Sequence, residues 1–120
     1  MTSELRYHDQ ARGQLADARL ARTGLADFVA YQSSSIKALG QPPILLGHSM
    51  GGLLAQLLAA KGLAEAVILL APAPPWGLLP SSENEIAAAV GLMSAGPFWD
   101  QTLNTAFEIA TENSLNCLSP

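Results

Sequence analysis

Residues 43–55 read Pro-Ile-Leu-Leu-Gly-His-Ser-Met-Gly-Gly-Leu-Leu-Ala, and this stretch decides the fold. The apolar run 44–46 lies between proline and glycine, which favours a short buried strand. The residues after Ser49 are apolar at helical spacing, which predicts an amphipathic helix. The positions that match this spacing are Met50, Leu53, Leu54, Leu57 and Leu58. Gly47 and Gly51 flank Ser49 symmetrically, so we predict a tight turn between the strand and the helix.

A serine in such a turn has the geometry that nucleophilic catalysis requires. A hydroxyl is a weak nucleophile, and the turn lifts Ser49 clear of its own backbone at the cost of strained dihedral angles. We expect Gly47 and Gly51 to remove Cβ atoms that would collide in the turn, and Gly52 to let the helix lie close to the sheet. The helix N-terminus offers the Met50 N–H to a developing oxyanion. The sequence therefore predicts a nucleophile and half of an oxyanion hole.

The segments on either side of this stretch complete an α/β pattern. Residues 25–39 carry apolar residues on one helical face, with Asp27 in the first turn and Gly40 as the stop. Gly62 ends the helix that follows Ser49. Residues 66–70 form a second apolar run bounded by prolines, which predicts another buried strand. Helix, strand, helix and strand in this order are typical of a parallel sheet.

The character of the sequence changes after residue 80. Two pairs of residues have the spacing of a capping box, which marks the start of a helix. These pairs are Ser82 with Glu85 and Thr105 with Glu108. The helix face predicted after the first pair consists of Ile86, Val90 and Met93.

Composition and charge exclude several classes of function. Charged residues make up 13% of the chain and hydrophobic residues 49%, so either the strands are buried on both faces or a missing partner would cover apolar surface. The net charge is −4 and lysine and arginine form no cluster, which argues against a nucleic-acid partner. Cys117 is the single cysteine, so neither an internal disulfide nor a metal site is expected.

The most apolar stretch, residues 53–70, contains polar and charged residues and a glycine, so it predicts no membrane span. The N-terminal residues lack the basic and apolar regions of a signal peptide. We therefore expect a cytoplasmic protein.

The stretch 43–55 resembles the nucleophile-elbow segment of the α/β-hydrolase-fold serine hydrolases, a group of esterases, lipases and lysophospholipase-like enzymes. Residues 5–8 are similar to a family segment that follows the fourth strand, and 67–71 to the strand after the elbow helix. The resemblance implies a partial α/β-hydrolase core over residues 1–72, with a short parallel sheet and flanking helices. It implies a partial helical cap or lid over residues 73–120. It also implies a small-molecule ester substrate and no cofactor or metal.

Cap residues in this family often line an apolar acyl or alcohol pocket above the nucleophile. The candidates in this chain are Trp76, Leu78, Leu79, Met93, Phe98 and Trp99. Packing of the cap helices against each other is the alternative role for the same residues. We favour packing, because aromatic residues at helix ends usually belong to a core.

The family's catalytic triad runs nucleophile, acid, histidine along the chain, and this sequence departs from that order. Its histidines, His8 and His48, both precede Ser49. We expect His48 to pack the turn, and the resemblance places His8 in a loop other than the triad loop. The acidic residues after the serine fall in the predicted cap, where we interpret them as solvated carboxylates. These are Glu83, Glu85, Asp100, Glu108 and Glu112.

From this departure we expect the central section of a longer enzyme. The triad histidine and acid and the second oxyanion N–H would lie outside it. Ser119 and Pro120 resemble the start of a further helix, which fits the same expectation. The 120 residues alone are then expected to be marginally stable and catalytically silent.

Three functional hypotheses follow. The first is hydrolysis of carboxylic esters through an acyl-enzyme on Ser49. The second is acyl transfer, since malonyl-transacylase-like proteins also have a Gly-His-Ser-x-Gly turn, although Gly51, Gly52 and Leu53 fit the hydrolases better. The third is a truncated pseudoenzyme or interaction module, in which exposed sheet edges would favour self-association.

Overall fold

The computed structural model describes residues 2–11, 14–83, 85–87, 90 and 102. The chain forms two compact units, one of residues 1–9 and 23–78 and the other of residues 10–22 and 79–120. The elements within the described residues are a 3-10 helix (Ala18–Arg22), α1 (Leu25–Lys37), β1 (Ile44–Ser49), α2 (Met50–Ala60) and β2 (Ala66–Pro72). The division into a core to residue 72 and a cap beyond it stays a prediction.

The two strands pair in parallel, and α2 connects them. The α/β class and the short parallel sheet are therefore confirmed. His48 lies opposite Leu70, but the next pair is Ser49 with Pro72. Ala71 is thus an extra residue of β2, the arrangement of a β-bulge. The register of the sheet changes at the serine that the sequence singles out.

Helix α1 begins after Gly24, whose N–H donates to the Asp27 carboxylate at 2.8 Å. The acidic residue predicted in the first turn therefore satisfies a backbone donor that the helix itself leaves unpaired. The helix ends at Lys37, two residues before the predicted end, and Gly40 follows in the left-handed region at φ 76°. Its buried residues are Phe28, Val29, Gln32 and Ile36.

Helix α2 ends in a Schellman motif, as the glycine after it predicts. The Gly62 N–H donates to the Ala59 carbonyl at 2.8 Å, and the Leu63 N–H reaches back to the Leu58 carbonyl at 3.1 Å. Gly62 has φ 71°, which a residue with a side chain adopts only with strain. The stop is therefore fixed by the local sequence.

The buried face of α2 differs from the predicted one. Leu54 and Leu58 are buried as expected, but Gly52 and Ala55 are buried beside them. Met50 is exposed, and Leu53 and Leu57 are only half-buried. The helix packs against both strands, and its smallest residues face inward. Because Gly52 and Ala55 permit the closest approach, backbone proximity decides the rotation of α2 more than side-chain hydrophobicity does.

Both strands form as predicted, but the prediction that they are buried is wrong. In β1 only Gly47 is buried, while Ile44 and Leu46 are 61% and 64% exposed. In β2 the side chains of Ile68 and Leu70 are about half exposed. The described helix that contacts the strands, α2, covers one face, and an apolar strand is buried on both faces only between two layers.

The first predicted capping box is confirmed. The Ser82 hydroxyl accepts from the Glu85 N–H at 3.2 Å, and the Glu85 carboxylate accepts from the Ser82 N–H at 3.1 Å. Ile86 and Val90, two positions of the face predicted after it, are exposed. Met93, the second capping box and Ser119 with Pro120 lie outside the described residues.

Candidate active site

Ser49 occupies the junction of β1 and α2 in a strained backbone conformation. Its dihedral angles are φ 51° and ψ −120°, and it is one of three described residues other than glycine with positive φ. Such angles cost of the order of 1–3 kcal/mol and persist only where the surroundings hold them. The strained turn predicted at the serine is therefore present.

Gly47 is required by the close approach of the elbow backbone. A Cβ built on it would lie 2.2 Å from the Gly51 carbonyl oxygen and 2.6 Å from the Gly52 nitrogen. Gly52 is required on the opposite side, since a Cβ there would lie 2.7 Å from the Pro72 Cβ. These contacts confirm the steric roles predicted for Gly47 and Gly52.

Gly51 does not have the steric role that the sequence predicts for it. Among the described residues, a Cβ on Gly51 would meet no heavy atom within 4 Å. In this turn the Gly51 backbone therefore leaves no room for a Cβ at position 47, whereas position 51 itself has room for one. Only one of the two flanking glycines is explained by the local packing.

The Ser49 side chain makes no hydrogen bond to the start of its own helix. The residue is exposed, and its side chain does not cap α2, although serine is a favoured N-cap residue. Met50, the next residue, is the first of the helix, so its N–H belongs to the unpaired N-terminal group. An oxyanion formed on a substrate of Ser49 would meet these amides and the positive end of the helix dipole.

Neither histidine is arranged as a base for Ser49. The His48 side chain is exposed at the end of β1, so the expectation that it packs the turn is wrong. The His8 Nδ1 donates to the Arg6 carbonyl at 3.1 Å, and its ring lies 5.8 Å from that of Phe28 on α1. Within the part of the chain that the structure describes, no hydrogen bond joins Ser49 Oγ to either ring.

The described carboxylates after the serine are exposed, as the sequence predicts. Hydrogen bonds from the Ser81 N–H and hydroxyl, with a further one from the Ser82 N–H, lower the pKa of Glu85. This carboxylate therefore stabilises a helix start, and Glu83 is exposed beside it. Asp100, Glu108 and Glu112 lie outside the described residues.

The candidate pocket residues are only partly described. Trp76, Leu78 and Leu79 are exposed, so the described part of the chain gives them neither a pocket nor a packing partner. Met93, Phe98 and Trp99 lie outside the described residues. A cavity of about 200 Å³ lies instead beside the loops that precede the two strands, at the end of the sheet opposite Ser49. Its lining residues are Ile36, Lys37, Gly40, Gln41, Pro42, Gly62 and Leu63.

No group of three or more histidine, cysteine or acidic side chains in the described residues could hold a metal ion. No helix there is long and apolar enough to cross a membrane.

Sequence reasoning overlooked a third component of the elbow, the segment 71–73 at the end of β2. The Ala73 N–H donates to the Ser49 carbonyl at 2.9 Å, and Pro72 lies opposite Ser49 in the sheet. Ala71 has φ 39°, a left-handed angle that is unusual for alanine. The prolines at 72, 74 and 75 were the only sequence signal, and they indicated no more than the end of a strand.

Comparison with known protein families agrees with this geometry. The model of the alpha/beta hydrolase family matches residues 6–114, and the chain belongs to that family. No curated protein and no solved structure matches the chain. Family membership supports a hydrolase-type function in general, and it confirms the resemblance carried by residues 43–55.

Proposed function

We propose that the protein hydrolyses carboxylic esters through an acyl-enzyme on Ser49. The observation that carries this proposal is the strained turn between β1 and α2, which exposes the serine above a helix N-terminus. Strain of this kind is characteristic of functional sites, and membership of the hydrolase family supports the same reading.

The chemistry runs in two steps. Ser49 Oγ attacks the ester carbonyl carbon and loses its proton to a base, and the oxyanion accepts a hydrogen bond from the Met50 N–H. The C–O bond to the alcohol then breaks, and the alcohol leaves with that proton. In the second step water attacks the acyl-enzyme and releases the carboxylic acid and the free serine. Neither His8 nor His48 is hydrogen-bonded to Ser49 in the described residues, so we propose that another group is the base.

The acyl or alcohol group is proposed to lie against apolar residues that follow β2 in the same unit as Ser49. The exposed Trp76 and Leu78 support this proposal, because apolar side chains shortly after the end of β2 need a cover. Cytoplasmic location and self-association through the sheet edges stay predictions.

A fluorophosphonate probe tests the nucleophile directly, because it phosphonylates an activated serine irreversibly. We expect the full-length protein to be labelled at Ser49 and to hydrolyse p-nitrophenyl butyrate. The S49A variant should lose both the labelling and the hydrolysis. The S35A variant, which changes an exposed hydroxyl on α1, should keep both. Absence of labelling in folded full-length protein would overturn the proposal.

The 120 residues alone are expected to give no turnover in the same assay. The reason is that neither histidine is positioned to take the Ser49 proton, and loss of the base costs a triad on the order of 10⁴- to 10⁶-fold in rate. Ser49-dependent turnover by this chain would show that a base lies within it.

A further inference from the structure

Two left-handed residues meet at the elbow, although neither is a glycine. Ser49 has φ 51° and Ala71 has φ 39°. They are close because β1 and β2 pair here: Pro72 lies opposite Ser49, and Ala71 is the bulged residue before it. β-Bulges are frequent beside active sites, where they redirect the chain. Here the bulge lies directly before Pro72 and Ala73, which are next to the backbone of Ser49.

The segment 71–73 contacts the elbow in two ways. The Ala73 N–H donates to the Ser49 carbonyl at 2.9 Å. Pro72 lies against Gly52 so closely that a Cβ on Gly52 would be 2.7 Å from the Pro72 Cβ and 3.0 Å from its Cα. The first contact holds the nucleophile's own peptide group, and the second fixes the first turn of α2. Proline needs no hydrogen-bond acceptor for its nitrogen, so it can occupy the position opposite Ser49.

We propose that residues 71–73 are a positioning segment that holds Ser49 in its strained, reactive conformation. The inference rests on the proposed function. It adds that the end of β2 fixes the position of Ser49. The strain at Ser49 must be held by its surroundings, and the backbone hydrogen bond from the Ala73 N–H contributes to this. A displacement of about 1 Å at a reacting atom can lower a rate by on the order of 10²-fold, so a small relaxation has a large effect.

The hydrogen bond is tested with a matched pair of variants in the full-length protein. A73P removes the N–H donor, whereas A73G keeps it and changes only the side chain. With p-nitrophenyl butyrate we expect kcat of A73P to be about 10-fold below that of A73G, with KM equal within about twofold. A shared melting temperature would show that the difference arises at the elbow. Equal kcat in the two variants would overturn the inference.

The Pro72 contact provides a second test that does not depend on the folding of A73P. G52A adds a Cβ into this contact, so we expect a lower kcat. The double variant G52A/P72G removes the Pro72 Cβ that it meets, and it should recover part of the loss. Suppose that P72G alone keeps the wild-type kcat and that the double variant is as slow as G52A. This result would contradict a positioning role for the contact between Pro72 and Gly52.

Hydrogen exchange separates this inference from the proposed function. Amide protons 53 and 54 in the first turns of α2 should exchange about 10-fold faster in A73P than in A73G, because the Ser49 carbonyl has lost its anchor. If the wild-type protein is not labelled by the fluorophosphonate probe, the proposed function fails, and this measurement still decides whether the segment holds the elbow. Equal exchange in the two variants would refute the positioning role.

Discussion

Both faces of the sheet carry apolar residues, but their environments differ. On one face Gly47 is buried beneath α2, whose Leu54 is 3% exposed. On the other face Leu46 is 64% exposed, and its register partner Ile68 is 49% exposed. Hydropathy alone does not distinguish these faces. The difference is made by α2, which returns the chain to the same side of the sheet and covers that side only.

The low content of charged residues is consistent either with strands buried on both faces or with apolar surface that a missing partner would cover. The comparison of the two faces shows why composition alone does not separate these alternatives. A strand with apolar residues at successive positions is suited to two covered faces. In the described residues only one cover is present, so the same residues that would form a core are exposed to solvent. Three substitution pairs test this contrast, each with one change on the covered side and a matched change elsewhere.

The largest effect is expected at Gly47. G47A would drive a Cβ into the Gly51 carbonyl, and because both partners are backbone, we expect a loss of about 3 kcal/mol or more in the free energy of unfolding. G51A meets open space in the described residues and should be neutral or stabilising by up to about 1 kcal/mol, since alanine favours a helix. Urea denaturation measures both. A G51A variant as unstable as G47A would mean that residues outside the described set cover position 51.

The next pair compares the faces directly. L54A removes a buried side chain between α2 and the sheet, and we expect a loss of about 3 kcal/mol. L46A changes an exposed side chain and should cost less than about 0.5 kcal/mol. Denaturation in urea again gives both values. Equal losses would show that the second face is covered in solution, and the contrast between the faces would then disappear.

A smaller effect is expected in α1, which packs against α2 on the covered side. Gln32 is buried, and its amide accepts from the Ser3 hydroxyl at 2.6 Å and donates to the Glu4 carbonyl at 3.0 Å. Q32A should cost about 1–2 kcal/mol, because it removes both bonds. S34A, on the exposed side of α1, should change the free energy of unfolding by less than about 0.5 kcal/mol. A neutral Q32A would mean that the N-terminal residues contribute nothing to the first unit.

The smallest effect is expected at Asp17, which belongs to neither face. Hydrogen bonds from the Arg19 side chain and backbone N–H lower the pKa of Asp17 from 3.8 to about 2. A depressed carboxyl pKa stabilises the folded state above the unfolded value, so this contribution is lost as the pH falls from about 4 through about 2.

Titration of the Asp17 carboxyl carbon by NMR checks this prediction. R19A should return the pKa toward its ordinary value, and R22A, the control, should leave it unchanged. An unchanged pKa in R19A would remove the cause assigned to it. Because the Asp17–Arg19 pair lies at the surface, R19A should hardly change the free energy of unfolding at neutral pH.

Local sequence signals predicted the starts and ends of the helices closely. The Gly62 stop, the Asp27 first turn and the Ser82–Glu85 capping box depend on residues within five positions of each other, and the structure confirms each. The elbow at Ser49 was equally predictable, since two glycines around a serine between strand and helix signals leave few alternatives.

Burial and the neighbours of the serine were not predictable in the same way. The inward face of α2 depends on how closely Gly52 approaches Pro72, twenty positions away in the chain. The exposure of His48 depends on which side of the sheet α2 covers. The Ala73 contact to Ser49 requires the bulge at Ala71, which no local pattern indicates.

The sequence by itself determined that the chain folds as strand, helix and strand, with a strained serine at the first junction, because backbone sterics and helix stops act between neighbouring residues. The tertiary structure decided which face of the sheet is covered, which face of α2 is buried, and that the end of β2 holds the backbone of the nucleophile. Those outcomes depend on contacts between residues distant in the chain, where packing and register decide and local preference has no influence.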